Sequence, residues 1–485
     1  MAQSVSLAAV LAMAARVTVD SDTFWHLAAG RWIVQHGEIL RTDPFSVTRY
    51  GQPWVYPGWL SQLLLFNIHR ALGWLGLNLF TMVAVLLVFA IVWEMLSGPP
   101  LLRAFVLTLS AAASAIFWSA RPQMLTLLLA AGYLWVLRRE DTGPSRELWL
   151  LPPLMALWAN LHGGFAVGFL LVGAYLGAEV LDLVLTWLLK PADRADAWER
   201  RRPKVGRLAL CLGLCLLAVG INPFGFRMLG YPFQTVAVET LRLHIQEWQS
   251  PDFHMTETWP FLAMLLLMAP CFALSTKKRQ TSEIVLYLGF SALALSAVRN
   301  IALFAVVAAP ALARHGGSAI QPLADAIGSG RQLPGRLSRR LNALLAALLV
   351  IAAALWAGPR IGAVATEDDL ANRFPAGALA YLNAQKPAGP IFNSYNWGGY
   401  LLWTSFPQYK SFVDGRTDLF NDEILTDYLS VYTAGRGWER ILDSYGVKLI
   451  LVEPSAPLAV AAEGQGWHRL FLSDQSVLLS KTDGG

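Results

Sequence analysis

The sequence is poor in charge and nearly free of cysteine. Only 15% of its 485 residues are Asp, Glu, Lys or Arg, where a soluble chain carries about a quarter. That shortfall, with a mean hydropathy of +0.45, excludes an ordinary soluble enzyme and points to a membrane protein. There are three cysteines, Cys211, Cys215 and Cys271, all in apolar segments and none after residue 357. No disulfide framework therefore holds the C-terminal part. Cys211 and Cys215 lie one helical turn apart with no His or carboxylate nearby, so they read as small apolar residues rather than metal ligands. Repeats of 20–50 residues are also absent, which excludes a solenoid.

Tryptophan is abundant, with 19 copies, as expected of side chains that anchor at bilayer interfaces. Eleven apolar segments are candidates for spanning helices: 4–19, 74–96, 101–120, 122–137, 148–160, 164–189, 208–221, 259–275, 283–297, 301–313 and 341–356. The stretch 59–72 carries Gln62, Asn67, His69 and Arg70 and reads as an amphipathic helix along the interface. Segment 4–19 reads as an uncleaved first helix, because a polar motif follows it at once; a cleaved signal peptide is the alternative.

The net charge of +5 conceals a split. Residues 358–485 hold ten Lys/Arg and fourteen Asp/Glu, a net of −4, which leaves +9 for the rest. With the N-terminus cytoplasmic, nineteen basic residues fall in inner loops and seven in outer ones. The positive-inside bias favours that orientation, and the odd number of crossings puts the C-terminus outside. The basic excess thus sets topology and does not imply nucleic acid. The organisation expected is a transmembrane domain over 1–357, with a first outer loop at 20–57, a second at 222–258 and an inner linker at 315–340. An extracytoplasmic α/β domain follows over 366–485. Within it, strands are predicted at 390–395, 410–414 and 447–452, a short helix at 398–405, a helix at 423–445, and a hairpin over 467–480 turning at Asp474 and Gln475.

Polar residues concentrate at the outer junctions. The first outer loop opens with Asp20-Ser-Asp22, and His26 lies one turn beyond Asp22. Asp22 has a plain reading as the N-cap of the helix carrying Trp25 and His26. Asp20 has none, and a carboxylate at the end of an apolar helix is costly. Arg121-Pro-Gln123, Asn160-Leu-His162-Gly-Gly, Asn222-Pro-Phe-Gly-Phe-Arg227, Glu247-Trp-Gln-Ser-Pro-Asp252 and Arg299-Asn300 occupy the other outer junctions. Each alone reads as a turn, a cap or a snorkelling Arg. Sharing one side, they imply a single wet cavity. Arg121, Arg227 and Arg299 suit a phosphate, through the paired bonds of a planar guanidinium. Asp20 or Asp22 would serve as general base, or the pair as ligands of a divalent ion such as Mg or Mn. His26, Asn160, His162 and Glu247 would position a sugar or acceptor.

An acidic pair directly after the first helix, in an outer loop with a juxtamembrane amphipathic helix, resembles the GT-C superfamily of membrane glycosyltransferases. So does the string Asp22-Thr-Phe-Trp-His-Leu together with the Arg121, Asn160 and Glu247 motifs, which is similar to a bacterial GT-C-like group. The resemblance implies an α-helical polytopic fold of about eleven helices with a soluble C-terminal α/β domain. It implies transfer of a sugar from a polyprenyl-phosphate-linked donor to an unknown glycan, lipid or protein acceptor at the outer face of a bacterial cytoplasmic membrane. It places Asp20 and Asp22 at the GT-C acidic motif. Asn396-Trp-Gly-Gly-Tyr400 is similar only in part to the oligosaccharyltransferase W-W-D-Y-G signature and lacks its Asp, so it reads as a strand-to-helix turn. Val413-Asp414-Gly-Arg416 reads as a turn with an internal ion pair, or as a segment facing the cavity. The rival is a non-enzymatic scaffold or a lipid or polysaccharide carrier. A carrier is disfavoured, because Glu94, Glu179 and Asp182 sit toward inner helix ends rather than at the midplane.

Overall fold

The computed structural model describes residues 2–327 and 335–481. Its first half is helical: α1 (Ala2–Ala14), α2 (Ser21–His36), α3 (Trp59–Met95), α4 (Pro100–Ser114), α5 (Gln123–Thr142), α6 (Leu151–Leu161), α7 (Ala166–Leu189) and α8 (Arg194–Val219). Two short helices, α9 (Tyr231–Ala237) and α10 (Glu239–His244), lie in the loop over 222–258. Then come α11 (Trp259–Leu274), α12 (Thr281–Ser296), α13 (Ile301–Ile327) and α14 (Gly335–Ile361). Residues 315–327 and 335–340, expected as linker, are thus helical; the rest of that stretch lies outside the described residues.

Among the described residues six helical stretches are long and apolar enough to cross a membrane: Trp59–Met95, Pro100–Phe117, Gly163–Leu189, Thr256–Leu274, Val298–Gln321 and Ala343–Ile361. Helices α1 and α12 are apolar but shorter. The 11 residues of α6 reach only about 16 Å at 1.5 Å per residue, half the hydrocarbon thickness of roughly 30 Å. Helices α5 and α8 run into charged sequence, at Arg138 to Asp141 and Arg194 to Arg207. In α3 the arm 59–72 is set off from the apolar part by a break at Gly73, whose φ of 60° and ψ of −151° only glycine adopts readily. Helix α13 is central: residues 301–313 are buried throughout, packed on α4, α11 and α12.

The C-terminal part consists of α15 (Ala363–Arg373), α16 (Ala376–Gln385), β1 (Ile391–Asn393), α17 (Gly398–Ser405), α18 (Thr417–Tyr432), α19 (Trp438–Ser444), β2 (Leu449–Val452), α20 (Pro457–Gly464), β3 (His468–Leu472) and β4 (Val477–Ser480). The strands form one sheet in the order β1-β2-β4-β3, parallel at β1–β2 and antiparallel elsewhere. The strand expected at 410–414 does not form. The Asn393 side chain takes the place of a ladder there, accepting from Phe412 N–H at 2.8 Å and donating to the Val413 carbonyl at 2.9 Å. The helix expected over 423–445 starts earlier, at Thr417, and breaks between Tyr432 and Trp438, where Ala434 and Gly437 have positive φ. Helix α20 had no counterpart in the sequence reading.

The loops over 20–57 and 222–258 are welded to this part. Ser411 bridges Ser46, with Val47 N–H donating to the Ser411 carbonyl at 2.8 Å. Arg416 is fully buried and paired with Asp43 at 2.5 Å and Asp414 at 2.7 Å. Asp422 accepts from the backbone of Glu239 and Thr240 at the start of α10, at 3.1 and 2.7 Å.

Candidate active site

The site begins at the N-terminus of α2. Four N–H groups there lack helical partners, and Asp20, not Asp22, supplies the cap. Its Oδ1 accepts from Asp22 and Thr23 N–H, both at 3.1 Å, and Thr23 Oγ1 accepts in return from Asp20 N–H. The expectation of Asp22 as cap is therefore corrected. Asp22 sits in the first turn, its carboxylate free for other partners.

Those partners come from far along the chain. Arg121, just before α5, presents all three guanidinium nitrogens to carboxylates: Nε to Asp20 at 3.0 Å, Nη1 to Asp22 at 2.5 Å and Nη2 to Glu247 at 3.3 Å. Arg299 approaches the other oxygen of Glu247 at 3.8 Å and lies over the Trp248 ring at 4.2 Å. Three carboxylates thus share two cations. Burial, helped by Asp20 and Glu247 and opposed by Arg121, raises the Asp22 carboxyl from its usual value to about 7. Burial also acts to raise Glu247, but Arg121 and Arg299 outweigh it and hold that carboxyl below the ordinary range. Arg121 is pushed up by its three partners despite its burial.

Asp20, Asp22, Arg121 and Glu247 line a cavity of about 470 Å³. Its other walls include Thr240, His244 and Trp248 of the loop over 222–258 and Tyr395, Asn396, Gly415, Thr417 and Tyr428 of the C-terminal part. Gly415 lies so close that a Cβ there would come within 1.8 Å of Asp22 Oδ1 and 2.8 Å of Trp25 Nε1. Gly399 also packs tightly on α2, where a Cβ would stand 2.6 Å from the Ser21 carbonyl. These contacts are why the Asn396 and Val413 turns need glycine. The Val413 turn holds both its expected internal ion pair and a place on the cavity wall.

The remaining sequence candidates divide. His162 is half-buried near the cluster. Its Nδ1 accepts from Gly164 N–H at 3.1 Å and meets Thr126 Oγ1 at 2.8 Å, a hydroxyl that itself accepts from Trp158 Nε1. With Nδ1 accepting, the neutral ring carries its proton on Nε2. Burial, then Arg299 and Arg121, depress its pKa to about 3. His26 lies against Trp25, ring centroids 3.6 Å apart and planes inclined at 34°, and burial holds it well below the ordinary histidine value. His26 Nδ1 and Trp25 Nε1 are buried without hydrogen-bond partners. Of the sequence candidates, Asp20, Asp22, Arg121 and Glu247 form the cavity wall; His26, His162 and Arg299 stand behind it, and Asn160 and Arg227 are engaged elsewhere. Asn160 is spent on Trp59 Nε1 at 2.8 Å and the Ile221 carbonyl at 2.7 Å, clamping α3 to the end of α8. Arg227 is exposed on the loop surface. The residues missed by sequence reasoning come mostly from the C-terminal part, and only the paired glycines at 398–399 and Gly415 signalled a close approach.

Asp20, Asp22 and Glu247 are hard oxygen donors of the type that hold Mg or Mn. They converge, however, on a guanidinium, and a cation of the chain itself fills the point a metal would need. Among the described residues no group of three His, Cys, Asp or Glu is arranged to share one ion. The donor set does not fit a divalent ion, and no step is assigned to one.

Fold and site together define the class: a multi-pass helical membrane protein whose fold is shared with solved archaeal oligosaccharyltransferases, its polar cavity closed by a C-terminal α/β part. The chain is similar to the oligosaccharyltransferase of Archaeoglobus fulgidus tethered to an acceptor peptide containing an NVT sequon. That match has a TM-score of 0.54 at 13% identity and covers 99% of this chain and 74% of the other. It is also similar to that organism's AglB in complex with an inhibitory peptide and a dolichol-phosphate, with a TM-score of 0.53 at 12% identity, covering 93% and 69%. No protein-family model and no curated protein matches the sequence. At these identities the likeness is one of fold.

Proposed function

We propose that the protein is a membrane glycosyltransferase that moves a sugar from a polyprenyl-phosphate-linked donor to an acceptor hydroxyl in the cavity beside Asp22. The observation that carries this reading is the convergence of Asp20, Asp22 and Glu247 on Arg121 at a cavity walled by both parts of the chain. The AglB structure with dolichol-phosphate and a peptide supports the same class of donor. The localisation that goes with it is a bacterial cytoplasmic membrane with the cavity and C-terminal part on the outer face.

In the reaction proposed, Asp22 takes the proton of the acceptor hydroxyl as its oxygen bonds to the anomeric carbon. The bond from that carbon to the phosphate oxygen breaks, and the polyprenyl phosphate leaves with the negative charge. A base of pKa near 7 is matched to neutral pH. Arg299, held to Glu247 only at 3.8 Å, is the cation free to meet the phosphate, since Arg121 is committed to three carboxylates.

The test is Asp22→Asn in membranes supplied with radiolabelled polyprenyl-phosphate sugar. Sugar loss from the lipid pool is expected to fall by about 10²-fold or more, the range of general base catalysis, at unchanged expression and insertion. Undiminished turnover would sink the assignment. The scaffold reading requires the C-terminal part to bind a partner on its own, which its buried Arg416–Asp43 tie to the first outer loop disfavours.

A further inference from the structure

We propose that the end of the bundle away from the carboxylate cluster binds one anionic phospholipid. Its phosphate would sit in a basic cavity between α7, α8 and α12, and its acyl chains in an adjoining apolar groove. Helix α5 sets the separation. Its N-terminal end follows Arg121, and its last turn holds Asp141; twenty helical residues span about 30 Å.

At that far end lies a cavity of about 550 Å³ lined by six cations, Lys190, Arg201, Lys204, Lys278, Arg279 and Arg314. Its three carboxylates are already engaged. Glu179 takes Arg201 at 2.5 Å and Lys204 at 2.7 Å; Asp182 takes Arg201 at 2.8 Å and Thr281 at 2.5 Å; Asp141 takes Lys204 and, at 3.1 Å, Ser282. Arg314 is matched by the buried Glu283 at 2.8 Å. Six cations against these four carboxylates leave an excess of two positive charges. Among the described residues Lys190, Lys278 and Arg279 have no carboxylate partner, and the Arg279 guanidinium donates to the Phe272 carbonyl. Basic residues that merely set orientation need neither a cavity nor a carboxylate frame; here the frame holds three cations in place and leaves three others facing the hollow.

A second cavity, of about 730 Å³, adjoins the first through Thr186 and is lined by Leu183, Val184, Trp187, Leu188 and Trp198 among others. Trp187 and Trp198 are 58% and 50% exposed. A basic hollow opening onto an apolar, Trp-edged groove has the chemistry of an amphiphile with a phosphate head, as basic pockets between membrane helices do for acidic lipids. An inorganic phosphate or soluble nucleotide would leave the groove unused. The site is separate from the transfer cavity, so its test does not depend on the activity proposed above.

The purified full chain in detergent would be titrated with micelles containing phosphatidylglycerol or phosphatidylcholine and followed by native mass spectrometry and thermal midpoint. Phosphatidylglycerol should bind at least tenfold more tightly and raise the midpoint. That preference should disappear in Lys278→Glu combined with Arg279→Glu. Should that variant fail to fold, Lys190→Gln should weaken binding severalfold, and Trp198→Ala should do so without altering charge. Equal binding of the two lipids, or an unchanged preference in the folded charge variants, would overturn the proposal. So would a midpoint shift reproduced by inorganic phosphate alone, which would assign the cavity to a soluble phosphate.

Discussion

In the reaction proposed, Asp22 acts as base, and its protonation is set by burial together with one guanidinium and two neighbouring carboxylates. Burial raises its carboxyl to about 7, so it is neutral below that pH and a base above it. Sugar transfer should therefore rise with pH through an inflection near 7, measured as initial rate against pH in reconstituted protein. Glu247→Gln removes a negative neighbour and should move the inflection to lower pH. The stability consequence has the opposite sign. A carboxyl whose folded pKa is raised above 3.8 stabilises the fold at low pH, and that contribution is lost as pH rises through about 7. Gly415 is the second decisive residue, because a Cβ there would overlap Asp22 Oδ1. Gly415→Ala should cut transfer at least tenfold while costing stability about 1–3 kcal/mol, the scale of overpacking, read from turnover and thermal midpoint together.

Among the elements, the N-terminus of α2 and the turn before α18 work as one unit. Asp20 caps the helix, which directs Asp22 toward Arg121, and the turn through Gly415 covers that carboxylate. Arg416, next in sequence, locks the turn to the first outer loop through Asp43 and Asp414, all three buried. Arg416→Met would leave two buried carboxylates without their cation. Breaking such a pair from one side costs about 3–5 kcal/mol. A lowered thermal midpoint is expected, together with proteolytic cleavage in the first outer loop at concentrations that leave the native chain intact. A midpoint unchanged in Arg416→Met would show that the weld does not hold these elements together.

Across the whole molecule, the contact of Gly415 with Asp22 and of Gly399 with Ser21 puts the C-terminal part and the acidic cluster on the same side of the bundle. A cysteine at Gln465 should react with membrane-impermeant maleimide on intact cells. One at Arg146 should react only after the membrane is opened. Both positions are exposed, whereas Cys211 and Cys215 are buried. Labelling of Arg146→Cys first would reverse the proposed orientation.

Much of the frame was legible from the chain alone. The apolar character of the bundle, the helical arm before Gly73, the hairpin near Asp474 and the helix at 398–405 follow from hydropathy, periodicity and turn residues, which act over a few neighbours, whereas six of the stretches, not the eleven segments expected, are long and apolar enough to cross a membrane among the described residues. The same is true of the grouping of polar residues at one set of helix ends. The strand expected at 410–414 failed because its partners are the Asn393 side chain and the first outer loop, not a neighbouring strand. Only the tertiary structure decided which aspartate caps α2, that Arg121 lies among three carboxylates, and that Asn160 and Arg227 stand aside. It alone brought Tyr395, Gly415 and Tyr428 over the cavity. These outcomes depend on segments hundreds of residues apart meeting in one poorly solvated space. There each carboxylate's charge is set by whichever cation and carboxylate neighbours the folded chain delivers, and no local pattern encodes that sum.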